Sequence, residues 1–180
     1  MKLIGICGLA RCGKDSFYGM SKTLLNQKGI KTKRFAFADS LKEECNEILS
    51  KYVGISAFTE SNQEKQIIRP LLVTYGTHIR RKLNQNCWID KINEEVKRDL
   101  AKNNVVFITD VRFENEIDWI HSLNGASIHI TRQGNIAPNE DELRNDPILK
   151  NKSTTQLKWK DFEEEPELDS VVNEIIKSIL

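Results

Sequence analysis

The sequence has few of the features that mark secreted, membrane-spanning or zinc-binding proteins. It contains four cysteines, and no two of them form a C-x-x-C pair, so the spacing of zinc and thiol-redox sites is missing. No apolar run reaches the ~18 residues that cross a membrane. The opening residues also lack the basic, apolar and small-residue order of a signal segment. We therefore expect a protein of the reducing cytoplasm with no membrane partner.

An excess of charge is missing as well. The formal net charge is +1, from 27 Lys and Arg against 26 Asp and Glu. Because a protein that wraps nucleic acid needs a strong positive excess, no nucleic-acid partner is expected, and any basic surface must be local. With 180 residues, 39% of them hydrophobic and 29% charged, the chain is typical of a single globular domain.

Strand-like and helix-like segments alternate along the chain. The predicted strands are residues 2–7, 33–37, 104–109, 126–131 and 154–158. Amphipathic runs at helical spacing separate most of them. This alternation predicts an α/β fold in which a five-stranded, mostly parallel sheet carries helices on both faces. The stripe of the closing helix is either core or the seam of a dimer, so monomer and homodimer both stay open.

Local signals predict some element boundaries. Asp39 and Ser40 are expected to cap the helix whose buried stripe includes Ile48 and Tyr52. A helix is expected over residues 65–75, with Pro70 near a boundary or kink. Residues 38–103 and 132–153 are too long for simple crossovers, and excursions of this kind are usually functional.

The strongest motif is the run Gly8-Leu-Ala-Arg-Cys-Gly13-Lys14, which follows a predicted strand and opens a predicted helix. This is the G-x-x-x-x-G-K pattern in the context that it requires. The glycines let backbone N–H groups turn toward phosphate oxygens, and the helix start adds its dipole. Lys14 supplies a mobile charge for the β and γ phosphates. We interpret the run as a nucleoside triphosphate site; the alternative is a glycine-rich turn that binds no nucleotide.

The residues around this lysine depart from the usual pattern. Asp15 stands where Ser or Thr is common, and the hydroxyl follows at Ser16. A carboxylate cannot donate to a phosphate but can take Mg²⁺, directly or through water, so Asp15 and Ser16 are the predicted metal ligands. Phe17 completes the predicted cofactor-binding segment. Arg11 either is solvated or points at the phosphate being transferred.

A second candidate group follows the third predicted strand. Asp110 comes directly after residues 105–109, where P-loop enzymes hold Mg²⁺ or its waters. The alternative role of Asp110 is to cap the helix that starts near Phe113. Arg112 would suit an acceptor phosphate because its guanidinium pairs bidentately.

The two long excursions carry further candidates. In residues 38–103, several charged side chains suggest an anionic acceptor, although each alone could be a solvated helix charge: Asp39, Lys42, Arg69, Arg80 and Arg81. Trp88 either stacks on a base or belongs to the core. Residues 132–153 are polar, contain no predicted strand and begin with Arg132, so they form either a lid that excludes water or an ordinary surface loop.

Four strings resemble the bacteriophage-type deoxynucleoside monophosphate kinases: ICGLARCGKDS, FAFADSLK, YGTHIRRKLNQNCWI and ITDVRFENE. The resemblance implies a three-layer P-loop nucleoside monophosphate kinase fold, with a core of residues 1–37, 104–131 and 154–180. It also implies an acceptor-binding insertion of residues 38–103 and a lid of residues 132–153. The lid differs from the family pattern, since residues 139–145 read NEDELRN where members often carry a His-Ser-Glu-like cluster.

The resemblance also implies an activity and its residues. ATP and Mg²⁺ would phosphorylate a deoxynucleoside monophosphate by direct in-line transfer. By position, ATP would be held by Gly8, Gly13, Lys14, Asp15 and Ser16, with Arg11 near the transferred phosphate. The acceptor side would be lined by Asp39, Lys42, Arg69, Arg81, Asp110 and Arg112. Arg132 would start the lid and serve the phosphates, and residues 161–165 would border the adenine.

Three other functions remain open from the sequence alone. The first is a kinase for another small phosphate, such as a phosphomevalonate-like or dephospho-coenzyme-A-like acceptor. The second is a nucleotide-binding switch that turns over slowly. The third, an ATPase acting on nucleic acid, is disfavoured by the modest charge.

Overall fold

The computed structural model describes residues 2–159 and 168–180. Within these residues the strands are β1 (Leu3–Cys7), β2 (Thr32–Phe35), β3 (Val105–Val111), β4 (Ala126–Arg132) and β5 (Thr155–Trp159). The helices are α1 (Lys14–Gln27), α2 (Phe37–Ile48), α3 (Asn62–Val73), α4 (Arg81–Leu83), α5 (Cys87–Ala101), α6 (Glu114–Ser122), α7 (Glu140–Lys152) and α8 (Leu168–Ile179). Two π-helical segments, Leu49–Val53 and Thr74–Arg80, follow α2 and α3. The adenine-bordering prediction for residues 161–165 lies outside the described residues.

The chain divides into two compact units that are described separately. The first contains Met1–Phe35 and Glu95–Leu180, and the second contains Ala36–Glu94. The boundary between them falls within α5. Among the described residues, no helix combines the length and apolar character that a membrane span requires.

The first unit is built around a parallel five-stranded sheet with the order β2-β3-β1-β4-β5. Gly5 pairs with Ile108 of β3 on one side and with Ser127 of β4 on the other. Because the strands are parallel, the carboxyl ends of β1, β3 and β4 meet at one edge, and the loop that follows β1 lies between its two neighbours. The predicted α/β class, strand number and parallel arrangement are confirmed.

Continuous apolar runs explain why this sheet forms. Every residue of β1 is buried, as are the first five residues of β3. Phe17 of α1 packs edge-on against Trp159 of β5, with ring centroids 6.4 Å apart. Val172 and Ile179 of α8 are buried in the same core, so for these two residues the core alternative is correct.

Several predicted boundaries differ from those in the structure. The N-cap of α2 is Ala36, so Asp39 and Ser40 lie inside its first turn and do not cap it. Strand β3 continues to Val111, which places Asp110 within the strand. Pro70 lies inside the last turn of α3, which ends at Val73, and is therefore near a boundary as expected. Most of residues 132–153 fold into α7, a helix that hydrophobic spacing did not predict.

The second unit has its own small core. Cys45, Leu49, Ala57 and Ile68 are buried together, and Tyr75 packs partly buried against them. The two π-helical segments give this unit wider turns than a regular helix, a feature that often occurs at functional sites. A cavity of about 470 Å³ opens between α2 and the end of α3.

Candidate functional site

The loop after β1 has an unusual backbone conformation. Gly8, Arg11 and Gly13 all have positive φ, at 130°, 63° and 102°. A Cβ atom on Gly8 would lie 2.2 Å from the carbonyl oxygen of Ile130, so the approach of this loop to β4 requires glycine. The loop ends where α1 begins at Lys14, and the unpaired N–H groups of that helix start lie beside the loop.

The side chain of Lys14 folds back over this loop. Its Nζ atom donates hydrogen bonds to the carbonyl oxygens of Gly8 at 2.7 Å and of Leu9 at 2.8 Å. Nζ also lies 3.9 Å from the Sγ atom of Cys12. Burial raises the pKa of the Cys12 thiol, and the nearby Lys14 ammonium opposes that rise. A positive charge is therefore centred on the loop, with its donors in reach of any anion bound there.

The other predicted cofactor-binding residues lie at the mouth and base of the loop. Arg11 and Asp15 are exposed, and Ser16 is half-buried in the first turn of α1. Phe17 has a fully buried side chain in the core of the first unit, so its contribution to the site is to hold the start of α1 in place. Within the described part of the chain, no group of three or more His, Cys, Asp or Glu side chains is arranged to hold a metal ion unaided.

The carboxyl end of β3 presents Asp110 and Arg112 beside the loop. Asp110 is half-buried within the strand, and α6 has Phe113 as its N-cap residue, so Asp110 does not take the alternative role of capping that helix. The backbone N–H groups of Arg112 and Phe113 donate to Oε2 of Glu116, at 2.7 and 3.0 Å. Glu116 is buried and holds the turn that aims the Arg112 side chain.

Helix α7 contributes a carboxylate that sequence reasoning missed. Oε2 of Glu142 accepts a hydrogen bond from the backbone N–H of Ala10 at 3.1 Å, and Oε1 pairs with Nη1 of Arg112. Nδ2 of Asn135 donates to the carbonyl oxygen of Ala10 at 2.9 Å. The predicted lid segment thus contacts the loop after β1 directly. The buried residues of α7 are Glu142 and Leu149, which form no apolar stripe, so no hydrophobic period could have revealed this helix.

A partly buried polar pair lies one turn further along α7. Nε2 of His129, which is 1% exposed on β4, lies 2.9 Å from Oδ1 of Asp146. This supplies the partner that the sequence did not reveal for His129. Burial raises the pKa of Cys7 to about 12, with a smaller contribution in the same direction from Asp146 and opposing contributions from Ser153 and Lys14. Cys7 is therefore a neutral core thiol.

The remaining candidates are divided between the two units. Arg132 is the last residue of β4 and is half-buried. In the second unit, Asp39 lies in the first turn of α2, and Lys42 lies over the Phe58 ring at 5.6 Å. Arg69 is exposed on α3. Nη1 of Arg81 donates to the carbonyl oxygen of Gln85 at 3.3 Å.

Trp88 takes the core alternative in this structure. It is 2% exposed, and its Nε1 atom donates to the carbonyl oxygen of Gly76 at 3.3 Å. Arg80 lies over its ring, 5.6 Å from the centroid. The indole therefore anchors α5 to the second π-helical segment.

Glu44 is the polar centre of the second unit. Its carboxylate accepts from the Tyr75 hydroxyl at 2.9 Å and pairs with Arg80 at 3.1 Å and with Lys91 at 2.9 Å. Burial disfavours the charged form, yet the hydrogen bonds from Lys91 and Tyr75 and the charges of Lys91 and Arg80 outweigh it and lower the pKa of Glu44. The hydrogen bond that Tyr75 donates to Glu44 raises the pKa of the Tyr75 hydroxyl.

Glu44→Gln is expected to destabilise the protein by about 1–3 kcal/mol at neutral pH, because it leaves partly buried cations without their counter-charge. Since the folded-state pKa of Glu44 is lowered, its contribution is present above the unfolded pKa of about 4.3 and is lost as pH falls through the folded value. Urea unfolding at pH 7 and in acid measures this difference.

Glu47→Gln on the same helix, where the side chain is exposed, is the matched control. We expect it to leave the free energy of unfolding within about 0.5 kcal/mol of the wild type at both pH values. An equal loss in both variants would show that Glu44 contributes only ordinary helix charge.

Comparison with known proteins gives a consistent result. A family model described as "Deoxynucleotide monophosphate kinase" matches residues 46–152. A protein of Acanthamoeba polyphaga mimivirus named "Putative deoxynucleotide monophosphate kinase" is 30% identical over 182 residues, covering 87% of this chain and 91% of the relative. The family model matches a region that does not include the loop after β1, and the match to the mimivirus relative covers most of the chain. Neither match therefore depends on that loop alone.

Two solved structures share the fold. Shikimate kinase from Bacteroides thetaiotaomicron superposes with a TM-score of 0.52 at 14% identity, covering 98% of this chain and 97% of that one. TT1252 from Thermus thermophilus superposes with a TM-score of 0.53 at 12% identity, covering 99% and 97%. At these identities the likeness concerns the α/β kinase fold alone.

Proposed function

Because the chain belongs to the deoxynucleotide monophosphate kinase family, we propose that it transfers the terminal phosphoryl group of ATP to a deoxynucleoside monophosphate. The observation that carries this proposal is the loop after β1. Its positive-φ backbone, its contact with β4 at Gly8 and its overlying ammonium suit a polyphosphate. The phosphates of ATP would bind at this loop, and the deoxynucleoside monophosphate would bind at residues outside it.

The donor phosphates would be held by the loop and by the start of α1. Gly8 and Gly13 provide the backbone conformation, and Lys14 would exchange its two carbonyl partners for phosphate oxygens. This exchange is inexpensive because an ammonium group rotates freely among acceptors. Arg11, exposed on the loop, would face the phosphoryl group in transit.

The donor set at the start of α1 also fits Mg²⁺. Asp15 offers an exposed carboxylate and Ser16 a hydroxyl, and both are oxygen donors of the kind that this ion prefers. Asp110, half-buried at the carboxyl end of β3, would hold water molecules of the ion or the acceptor. Bound there, the ion would neutralise charge on the donor phosphates. Few protein ligands are needed because Mg²⁺ usually keeps phosphates and water in its shell.

Candidates for acceptor binding are taken from each unit separately. In the first unit, Arg112 would bind the acceptor phosphate. In the second unit, Asp39, Lys42, Arg69 and Arg81 carry the charges that we assign to acceptor binding. The 470 Å³ cavity of that unit is within the size range of small-ligand pockets. Ile48, Leu71 and Ile79 supply apolar walls, and the hydrogen-bonded Glu44 and Tyr75 supply a polar side, a combination that suits a planar base. Trp88 would support this region from the core instead of stacking on the base.

The chemistry that we propose is a direct in-line displacement. An acceptor phosphate oxygen is already an anion and needs no covalent enzyme intermediate. The task of the protein is to bring two anions together and to neutralise their charge. Lys14, Arg11 and Arg132 would do this from the loop and from the end of β4. Residues 132–153 would then act as the lid that excludes water, and residues 38–103 as the acceptor-binding insertion.

The location that we propose is a reducing compartment such as the cytoplasm. Cys7, Cys12, Cys45 and Cys87 are all buried free thiols. Free buried cysteines are typical of proteins that meet glutathione and thioredoxin, where disulfides do not persist.

A coupled assay of ADP release against a panel of acceptors tests the proposed function. We expect at least one deoxynucleoside monophosphate to stimulate ADP release far above the rate with ATP alone. The panel includes the ribonucleoside monophosphates, phosphomevalonate and dephospho-coenzyme A. If only phosphomevalonate or only dephospho-coenzyme A stimulates ADP release, that compound is the acceptor and the deoxynucleoside monophosphate assignment is wrong. Tight ATP binding without stimulation by any acceptor would favour a switch module and overturn the proposal.

A further inference from the structure

Glu142 forms a bridge between the phosphate loop and Arg112. It lies in the first turn of α7 and is 8% exposed. One carboxylate oxygen accepts from the Ala10 N–H at 3.1 Å, and the other pairs with Nη1 of Arg112. A buried carboxylate with two different partners is a costly feature, so it needs a role that ordinary packing would not fill.

The bridge is itself held firmly. Asn139 is the N-cap of α7, and its Oδ1 atom accepts from the backbone N–H of Glu142 at 2.8 Å. Asn135 ties the preceding turn to Ala10, and Asp146 ties the next turn of α7 to His129 on β4. The base of the Glu142 side chain is therefore fixed by three polar contacts in neighbouring turns.

The gap that contains the bridge is small. The space bounded by Gly8, Arg112, Glu142 and Asp146 is about 10 Å³, which is at most enough for a single water molecule. Glu142 is 8% exposed, whereas Arg112 is open to solvent on one side, so solvent screens the charge pair in part.

Arg112 keeps donors available while it is held in this way. A guanidinium has five N–H groups in one plane, and a contact through Nη1 fixes the orientation of that plane. The Arg112 side chain is 38% exposed, so part of the fork remains on the open side of the gap. An arginine held by one edge can present its other edge to a phosphate without first losing rotational freedom.

We propose that Glu142 is a positioning residue, which sets the Arg112 guanidinium at a fixed place relative to the phosphate loop so that it receives the acceptor phosphate. The proposal rests on the proposed function, in which Arg112 binds that phosphate. Glu142 itself contacts the loop amide and the guanidinium and transfers nothing. Through Glu142, helix α7 of the lid segment would thereby set the distance between the donor and acceptor phosphates.

Glu142→Gln tests this role, because it preserves size and one acceptor oxygen but removes the charge. Loss of a fixed orientation is expected to raise the KM for the acceptor by about 10- to 100-fold, while the KM for ATP changes less than about 3-fold. Glu140→Gln is the matched control, since it makes the same change one half-turn away on an exposed residue. We expect its constants to equal those of the wild type.

Two results would overturn the proposal. If Glu142→Gln lowers the acceptor KM, the carboxylate competes with phosphate for Arg112 instead of positioning it. If the variant loses thermal stability but its folded fraction keeps both KM values, the bridge is only structural. A double-mutant cycle sharpens the result, because in an Arg112→Ala background the Glu142 substitution should have no further effect on the acceptor KM.

A measurement without substrate separates this inference from the proposed function. In the wild type and in Glu140→Gln, NMR of the Arg112 guanidinium should show restricted rotation about the Nε–Cζ bond. In Glu142→Gln that rotation should become fast. Equal mobility in all three proteins would refute the positioning role even if the enzyme is active. If no acceptor is phosphorylated but the mobility differs as expected, the proposed function is wrong, and the positioning of Arg112 by the Glu142 bridge is still supported.

Discussion

Lys14→Met is expected to lower turnover by about 10²- to 10³-fold while the protein keeps its fold, because a preorganised donor to the transferred phosphate is lost. Among residues 2–159 and 168–180, the hydrogen-bond partners of Nζ are the carbonyl oxygens of Gly8 and Leu9 and the sulfur of Cys12. Loss of two partly buried hydrogen bonds costs about 1–3 kcal/mol, which a domain of ordinary stability withstands. Acceptor-stimulated ADP release measures turnover, and far-UV circular dichroism checks the fold.

Lys22→Met is the control for this substitution. Lys22 lies on the same helix α1, but its side chain is exposed and remote from the loop. The control is expected to turn over at the wild-type rate. Near-normal turnover by Lys14→Met would remove the lysine from the transfer step and with it the role that we assign to the loop.

Gly8→Ala is expected to destabilise the protein by about 3–5 kcal/mol, or to prevent folding, since two costs combine. The residue has φ of 130°, which an L side chain rarely adopts, and the added Cβ would lie 2.2 Å from the Ile130 carbonyl oxygen and 2.8 Å from Cys12 Sγ. Neither atom can move without disturbing β4 or the loop. The free energy of unfolding in urea measures the effect.

Gly134→Ala separates the cost of a positive φ from the cost of a steric clash. Gly134 also has a positive φ, at 80°, but a Cβ atom there meets nothing within 4 Å. We expect this variant to lose only the conformational cost of about 1–2 kcal/mol. If both variants are equally stable, the close approach of the loop to β4 is not a constraint, and the loop conformation that depends on it is in doubt.

The sheet and the loop were predictable because their causes are local. Residues 2–7 and 104–109 are apolar runs flanked by turn residues, and each became a buried strand. The positions of Gly8 and Gly13 in the motif imply positive φ, which both residues have. These features depend on neighbours in the chain, so a single sequence contains enough to infer them.

Helix α7 and Glu142 were not predictable for the opposite reason. Only Glu142 and Leu149 of this helix are buried, and Pro147 lies inside it, so no apolar stripe marks it. Ala10 and Glu142 are 132 residues apart, and no local pattern indicates such a contact. The available signals were at the helix ends: an Asn followed three residues later by Glu marks a helix start, and Lys150 and Lys152 lie in the last turn.

In the second unit, hydrophobic spacing predicted the wrong exposure for two residues. Ile48 and Tyr52 were expected in a buried stripe, yet they are 56% and 74% exposed. Ile48 lines the cavity, and Tyr52 falls in the π-helical segment Leu49–Val53, where the regular 3.6-residue spacing no longer applies. Hydrophobic spacing assumes a regular helix and so fails where the backbone widens.

Calorimetric titration of the wild-type protein with ATP and magnesium tests the central claim most directly, with Lys14→Met titrated in parallel. We expect saturable binding of one nucleotide per chain by the wild type and a marked loss of affinity in the variant. Absence of binding by the wild type, or equal affinity in both proteins, would contradict the assignment of residues 8–16 as the triphosphate site.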